Sequence, residues 1–157
     1  MDAQQRPGHV MIAIDDHPSN ATTLEVGLAL AHALEQAVAV VHVVEDAIEP
    51  VRAVAEHAGV ELQLCHGPVV PTLTELVAAP EVAVAVVGSG EPGRTDLPAG
   101  HVAVALIEAT TTPTLLVPAA TTAGIGAPLR TVLLPLDGAA ETEAAVAPTV
   151  GLLAGTG

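Results

Sequence analysis

The sequence predicts an α/β fold: a doubly wound, five-stranded parallel sheet sandwiched by helices, with an extra C-terminal strand–helix unit. Three observations lead there. Short β-branched runs alternate with helix-patterned stretches, the order of elements that gives parallel pairing. Those runs are apolar at consecutive positions, as strands covered by helices on both faces must be. Half of the 157 residues are hydrophobic, yet none is Phe, Tyr or Trp, so Val, Leu, Ile and Ala must build the core.

The first predicted strand is Val10–Ile14 (VMIAI), which ends at Asp15-Asp16. Ser19 or Asn20 can cap the helix that follows, with Leu24, Gly27, Leu28 and Ala31 at helical spacing and the pattern running to about Leu34. Val38–Val44 (VAVVHVV) is a second strand. Residues 46–58 read as a helix polar on one side, with Pro50 limiting its start. Val60–Cys65 alternates and reads as a third strand, closed by Gly67-Pro68. Thr72 and Glu75 have capping-box spacing ahead of a Leu73, Leu76, Val77 stripe. Val82–Val87 is a fourth strand running into Gly88-Ser89-Gly90. A Gly/Pro-rich loop, a helix over about Gly100–Ala109 and the strand Pro113–Val117 complete the unit.

Right-handed crossovers restrict such a chain to a doubly wound sheet. Ligands in such sheets sit at the carboxyl ends of the strands, near the point where strand order reverses. Here those ends carry Asp15-Asp16, Val43-Val44-Glu45, Gly67-Pro68 and Gly88-Ser89-Gly90. Residues 1–118 form the predicted domain, and 119–129, small and Gly/Pro-rich, form a linker. Residues 130–157 then repeat the opening: Val132, Leu134 and Asp137 follow the order of Val10, Ile12 and Asp15. One strand and one helix cannot bury their apolar faces alone, so Thr131–Leu136 is expected to pack on the first domain or on another chain.

Composition excludes several functions. A net charge of −14, no Lys and four scattered Arg (Arg6, Arg52, Arg94, Arg130) oppose phosphate-backbone binding, and the missing aromatics remove base-stacking platforms. The longest apolar runs fall far short of the ~20 residues that span a bilayer. The polar start MDAQQRPG and the single cysteine, Cys65, lead to the expectation of a cytoplasmic protein without membrane association. No Ser-His-Asp order and no metal-ligand spacing emerges, so no catalytic residue and no metal site is assigned. His42, inside an apolar strand, reads as a hydrogen-bonded core histidine, and Cys65 as a small buried thiol. His17 and His101 lie on the ligand-side loops.

Taken together, IAIDD, VVHVV, CHGPVVPTLTEL and VVGSGEPG…LPAGHVAVALIEATTTPTLLVP resemble, in order, the segments of the universal stress protein family. The resemblance covers residues 9–118 as a whole domain and 130–155 as the start of a second, as in tandem members. It implies a five-stranded parallel sandwich, usually a homodimer, in a stress-response module; one branch of the family binds ATP. The alternative it leaves is a dimeric scaffold without nucleotide. The ATP-binding branch carries G-x2-G-x9-G-[S/T], whose glycines let backbone N–H groups approach phosphates at a helix N-terminus. Carried over, Asp15 contacts the nucleoside and Val43 the base, flanked by Ala13 and Asp16. Gly88 and Gly100 take the first and third glycine positions, with Gly90 and Gly93 near the second and His101 in place of Ser or Thr. Glu91 and Asp96 in that loop oppose a triphosphate, so weak or absent ATP binding is expected, with Mg²⁺ accompanying any bound nucleotide.

Two features have plainer readings. Gly88–Gly93 also satisfies G-x-G-x-x-G, but it follows the fourth strand, and Pro92 and Pro98 precede the helix. That leaves a phosphate loop or a simple turn. Asp15 and Asp16 serve equally as helix-dipole partners or as ligand contacts. Pro113–Val117 is apolar and uncharged at a sheet edge, so a homodimer is expected that uses this edge, the appended strand Thr131–Leu136, or both.

Overall fold

A computed structural model gives the structure; it describes residues 8–45, 47–89 and 100–121, and, nearer the C-terminus, 139, 140, 144, 146, 147, 150 and 151. The elements run β1 (His9–Ala13), α1 (Asn20–Ala33), β2 (Ala37–Val43), α2 (Glu49–Ala58), β3 (Leu62–Cys65), α3 (Val69–Val77), β4 (Val82–Ser89), α4 (His101–Ala109) and β5 (Thr114–Pro118). The five strands form one sheet in the order β3-β2-β1-β4-β5, and every pairing is parallel. The chain builds outward from β1 to β3, returns to the other side of β1, and builds outward again. The order therefore reverses between β1 and β4, and a crevice opens at their carboxyl ends.

Alternation of side chains along the strands divides the core into two layers. Val10 and Ile12 of β1, Val40 of β2 and Val84 and Val86 of β4 face α1 and α2, meeting Leu24, Leu30, Ala31 and Val51. Met11, Val41, Val43, Ala85 and Val87 face the other way, against Leu73 and Val77 of α3 and Ala103 and Leu106 of α4. Helices cover both faces. Between their end residues, β1, β2 and β4 accordingly carry no polar side chain except His42, as their apolar runs predict. Gly27 brings α1 close to the sheet: a Cβ there would stand 2.5 Å from Ile12 Cδ1.

Several predicted boundaries shift for local reasons. The Thr72/Glu75 capping box is not formed, because α3 begins earlier, at Val69. Pro68 holds the extended N-cap position, and Pro71 sits in the first turn, where its missing N–H would have no partner anyway. The Thr72 amide already bonds back to Pro68 O at 3.1 Å, so Thr72 lies inside the helix. α2 starts at Glu49, with Pro50 in its first turn, rather than at residue 46, which lies outside the described residues. β3 starts at Leu62, because the Val60 amide closes the C-terminus of α2 on Ala55 O at 3.0 Å. Cys65 is half-buried on this edge strand rather than fully buried.

Both α1 and α2 end in the same reverse turn. In α2 the left-handed position is Gly59, with its amide on Glu56 O. In α1 it is Glu35, at φ 53°, with its amide on His32 O and that of Gln36 on Ala31 O. No helix of the described residues is long and apolar enough to cross a membrane. Gly90, Gly93 and the rest of the 90–99 loop lie outside the described residues, as do 122–138, including the predicted strand 131–136.

Candidate functional site

Hydrogen bonds beyond the strands hold the carboxyl ends of β1 and β2 together. The Ile14 amide donates to Val41 O at 3.0 Å, and His42 Nδ1 donates to Ile14 O at 2.9 Å. A carbonyl only accepts, so Nδ1 is the donor; Nε2 is buried and has no partner among the described residues. His42 is thus the bonded core histidine the sequence predicts, and it fixes the height of the loop that starts at Asp15. In that loop the Asp15 carboxylate accepts the His17 amide at 3.0 Å, and Asn20 Nδ2 donates to Asp15 O at 2.8 Å. Ser19 occupies the N-cap position of α1 but makes no cap bond with its side chain. Its hydroxyl lies 2.9 Å from His17 Nδ1 instead.

Two cavities flank this loop, one on each face of the sheet. The larger, about 300 Å³, is lined by Ala13, Ile14, Asp15 and Asp16, by Val41, His42, Val43, Glu45 and Ala47, by Val69 and Leu73 of α3, by Val87 of β4, and by His101 and Val102 of α4. The smaller, about 230 Å³, lies on the α1 side, between Ala13–His17, Ser19, Asn20, Thr23 and Gly88. Ala13, Ile14, Asp15 and Asp16 line both. Asp15, Asp16 and Glu45 are exposed, while Asn20 and Thr23 are buried.

Of the nine residues expected at a nucleotide site, Ala13, Asp15, Asp16, Val43 and His101 thus surround the larger cavity, and Gly88 borders the smaller. Gly100 is the N-cap of α4 at φ 67° and ψ 151°, a conformation open essentially to glycine alone. It places the free N–H groups of the first turn of α4 beside His101, at the rim of the cavity. Gly90 and Gly93 lie outside the described residues. Sequence reasoning misses Asn20 and Thr23 as cavity floor, and Val69 and Leu73 as cavity wall. Val69 is hidden because the Thr72/Glu75 spacing starts the helix after it, and Leu73 reads as plain core. Among the described residues no group of three His, Cys, Asp or Glu side chains is placed to hold a metal ion.

The fold matches known structures. A universal stress protein solved in complex with cAMP superposes with a TM-score of 0.57 at 20% identity, over 72% of this chain and 98% of that one. The chain has the universal stress protein fold. The universal stress protein of Archaeoglobus fulgidus matches with a TM-score of 0.54 at 17% identity, over 69% of this chain and 97% of its own. A protein of unknown function from Pseudomonas aeruginosa gives a TM-score of 0.60 at 15% identity, over 73% of this chain but 49% of that longer one. No protein-family model matches the sequence, and no curated protein matches it significantly.

Proposed function

We propose that this protein is a stress-response module of the universal stress protein type that binds an adenine nucleotide weakly through its nucleoside portion. The observation that carries this reading is the larger cavity. It lies at the carboxyl end of β1, in the crevice beside the reversal point, with Ala13, Asp15, Asp16, Val43 and His101 around it. An apolar slot receives the base and a strand-end carboxylate receives the sugar hydroxyls, the division of labour usual for such crevices. The cAMP held by a protein of this fold supports the choice of an adenine ligand. ATP and Mg²⁺ are the corresponding full ligand. Asp15 and Asp16 would supply the one or two carboxylates that Mg²⁺ usually takes alongside phosphate oxygens.

A second reading, an interaction scaffold, draws support from β5. Among the described residues this strand pairs only with β4, which leaves its other edge open there, and Leu115 and Leu116 on it are half-buried. A homodimer joined along that edge would cover an apolar strand. Residues 1–118 would form the domain, 119–129 a linker and 130–157 the opening of a second copy, in a cytoplasmic protein.

The two readings separate on the purified protein. With no Trp, Tyr or Phe the polypeptide barely absorbs at 280 nm, so an absorbance band at 260 nm reports bound nucleotide almost directly. The nucleotide reading expects either that band or saturable heat on titrating an adenine compound. Absence of both, with a dimeric mass by light scattering, leaves the scaffold.

A further inference from the structure

We infer that the larger cavity selects an uncharged nucleoside over the corresponding nucleotide. This rests on the nucleoside-binding reading above and adds the sign of charge that the site accepts. The walls divide by chemistry. Val41, Val43 and Leu73 give an apolar surface on the α3/α4 face, suited to a flat ring system. Around it stand three exposed carboxylates, Asp15, Asp16 and Glu45, each on a loop at the end of a strand. His42 also lines the cavity, with its Nε2 buried and without a partner among the described residues. The three carboxylates accept hydrogen bonds, so the fitting ligand is one that donates them; His101, at the α4 rim, is the lining side chain that can also donate.

No Lys or Arg balances the carboxylates among the described residues. The chain contains no Lys, and the one described Arg, Arg52, lies on α2 in a separate groove with Ala55 and Leu62. The favourable element is the N-terminus of α4 beside His101. It is equivalent to roughly half a positive charge. Three formal negative charges therefore outweigh it, and each added phosphate brings more repulsion. Sugar hydroxyls and exocyclic amines, in contrast, donate to carboxylates. The groups that repel a phosphate are the ones that hold a ribose. The volume agrees: about 300 Å³ is the lower end of the range for small-molecule pockets, enough for a base with its sugar.

The test is calorimetric titration of adenosine, AMP and ATP into the full chain without divalent cations, at low and at high salt. At low salt adenosine binds about tenfold or more tighter than ATP, with AMP between them. High salt shrinks the gap, because the Debye length falls from ~10 Å at 0.1 M to ~3 Å at 1 M. The double variant Asp16→Asn, Glu45→Gln shifts the ratio of affinities toward ATP. Both positions are exposed, and circular dichroism confirms that the variant folds. ATP binding as tightly as adenosine or tighter, or a ratio unmoved by the double variant, overturns the charge preference and leaves the nucleoside site standing. Failure of all three ligands to bind overturns both.

Discussion

Gly27 brings α1 close against β1, the strand that carries the candidate site, and Gly27→Ala tests that contact. In an isolated helix the change would help, by up to ~1 kcal/mol. Here the new methyl group would lie 2.5 Å from Ile12 Cδ1 and 2.6 Å from Cγ1. Favourable carbon contacts lie at ~3.5–4.0 Å, so about 1 Å of separation must be found. Ile12 is fully buried between α1, β2 and β4, so it cannot swing into solvent. Overpacking of this kind costs ~1–3 kcal/mol, and the helix gain offsets part of it. The expected net loss is about 1–2 kcal/mol. For a chain of this size that lowers Tm by roughly 2–8 °C.

Far-UV circular dichroism with heat or urea is the assay, since the chain has no aromatic fluorophore. A double-mutant cycle adds specificity. Ile12→Ala alone should cost ~2–5 kcal/mol through the cavity it leaves. In the Gly27→Ala background it should cost at least ~1 kcal/mol less, because the clashing atoms are gone. A Gly27→Ala variant as stable as the parent, or additive losses in the cycle, would refute the close approach of α1 to β1.

Glu35→Gly should stabilise the protein by ~0.5–1 kcal/mol, since Glu35 occupies a left-handed position that Gly59 fills at the end of α2; a lower urea midpoint would count against the turn assigned to α1. Gly100→Ala should cost ~1–3 kcal/mol and weaken any adenine ligand, because φ 67° with ψ 151° is open essentially to glycine alone; unchanged melting and binding would show that α4 does not start there. Leu106→Ala, which empties a fully buried position between α4 and the sheet, should cost ~2–5 kcal/mol by urea denaturation, and a loss under ~1 kcal/mol would contradict the packing of α4.

The strands are legible in the sequence because burial on both faces leaves a plain mark, an unbroken apolar run such as Val82–Val87. The position of the candidate site follows from those runs, since Asp15 and Val43 stand where apolar strands end. Helix starts are harder to read. At α3, Thr72 and Glu75 imitate a cap, whereas the conformation is decided by Pro68 and Pro71, whose missing amides are harmless only in a first turn. Val60 reads as strand by alternation, yet its amide serves the end of α2. The second cavity has no sequence signature. Asn20 and Thr23 look like ordinary first-turn residues. Only the close approach of Gly88 brings them to a ligand-sized space: a methyl group on Gly88 would stand 3.2 Å from Thr23 Oγ1.

The central claim is that ligand binds in the crevice at the carboxyl end of β1, between Asp15 and the start of α4. Backbone amide shifts of isotope-labelled protein, followed while adenosine is added, test it most directly. The account predicts saturable changes concentrated at Ala13–Asp16, Val43–Glu45 and His101–Val102, with Arg52–Leu64 unaffected. Changes centred on α2 and β3, or none at any concentration, would contradict it.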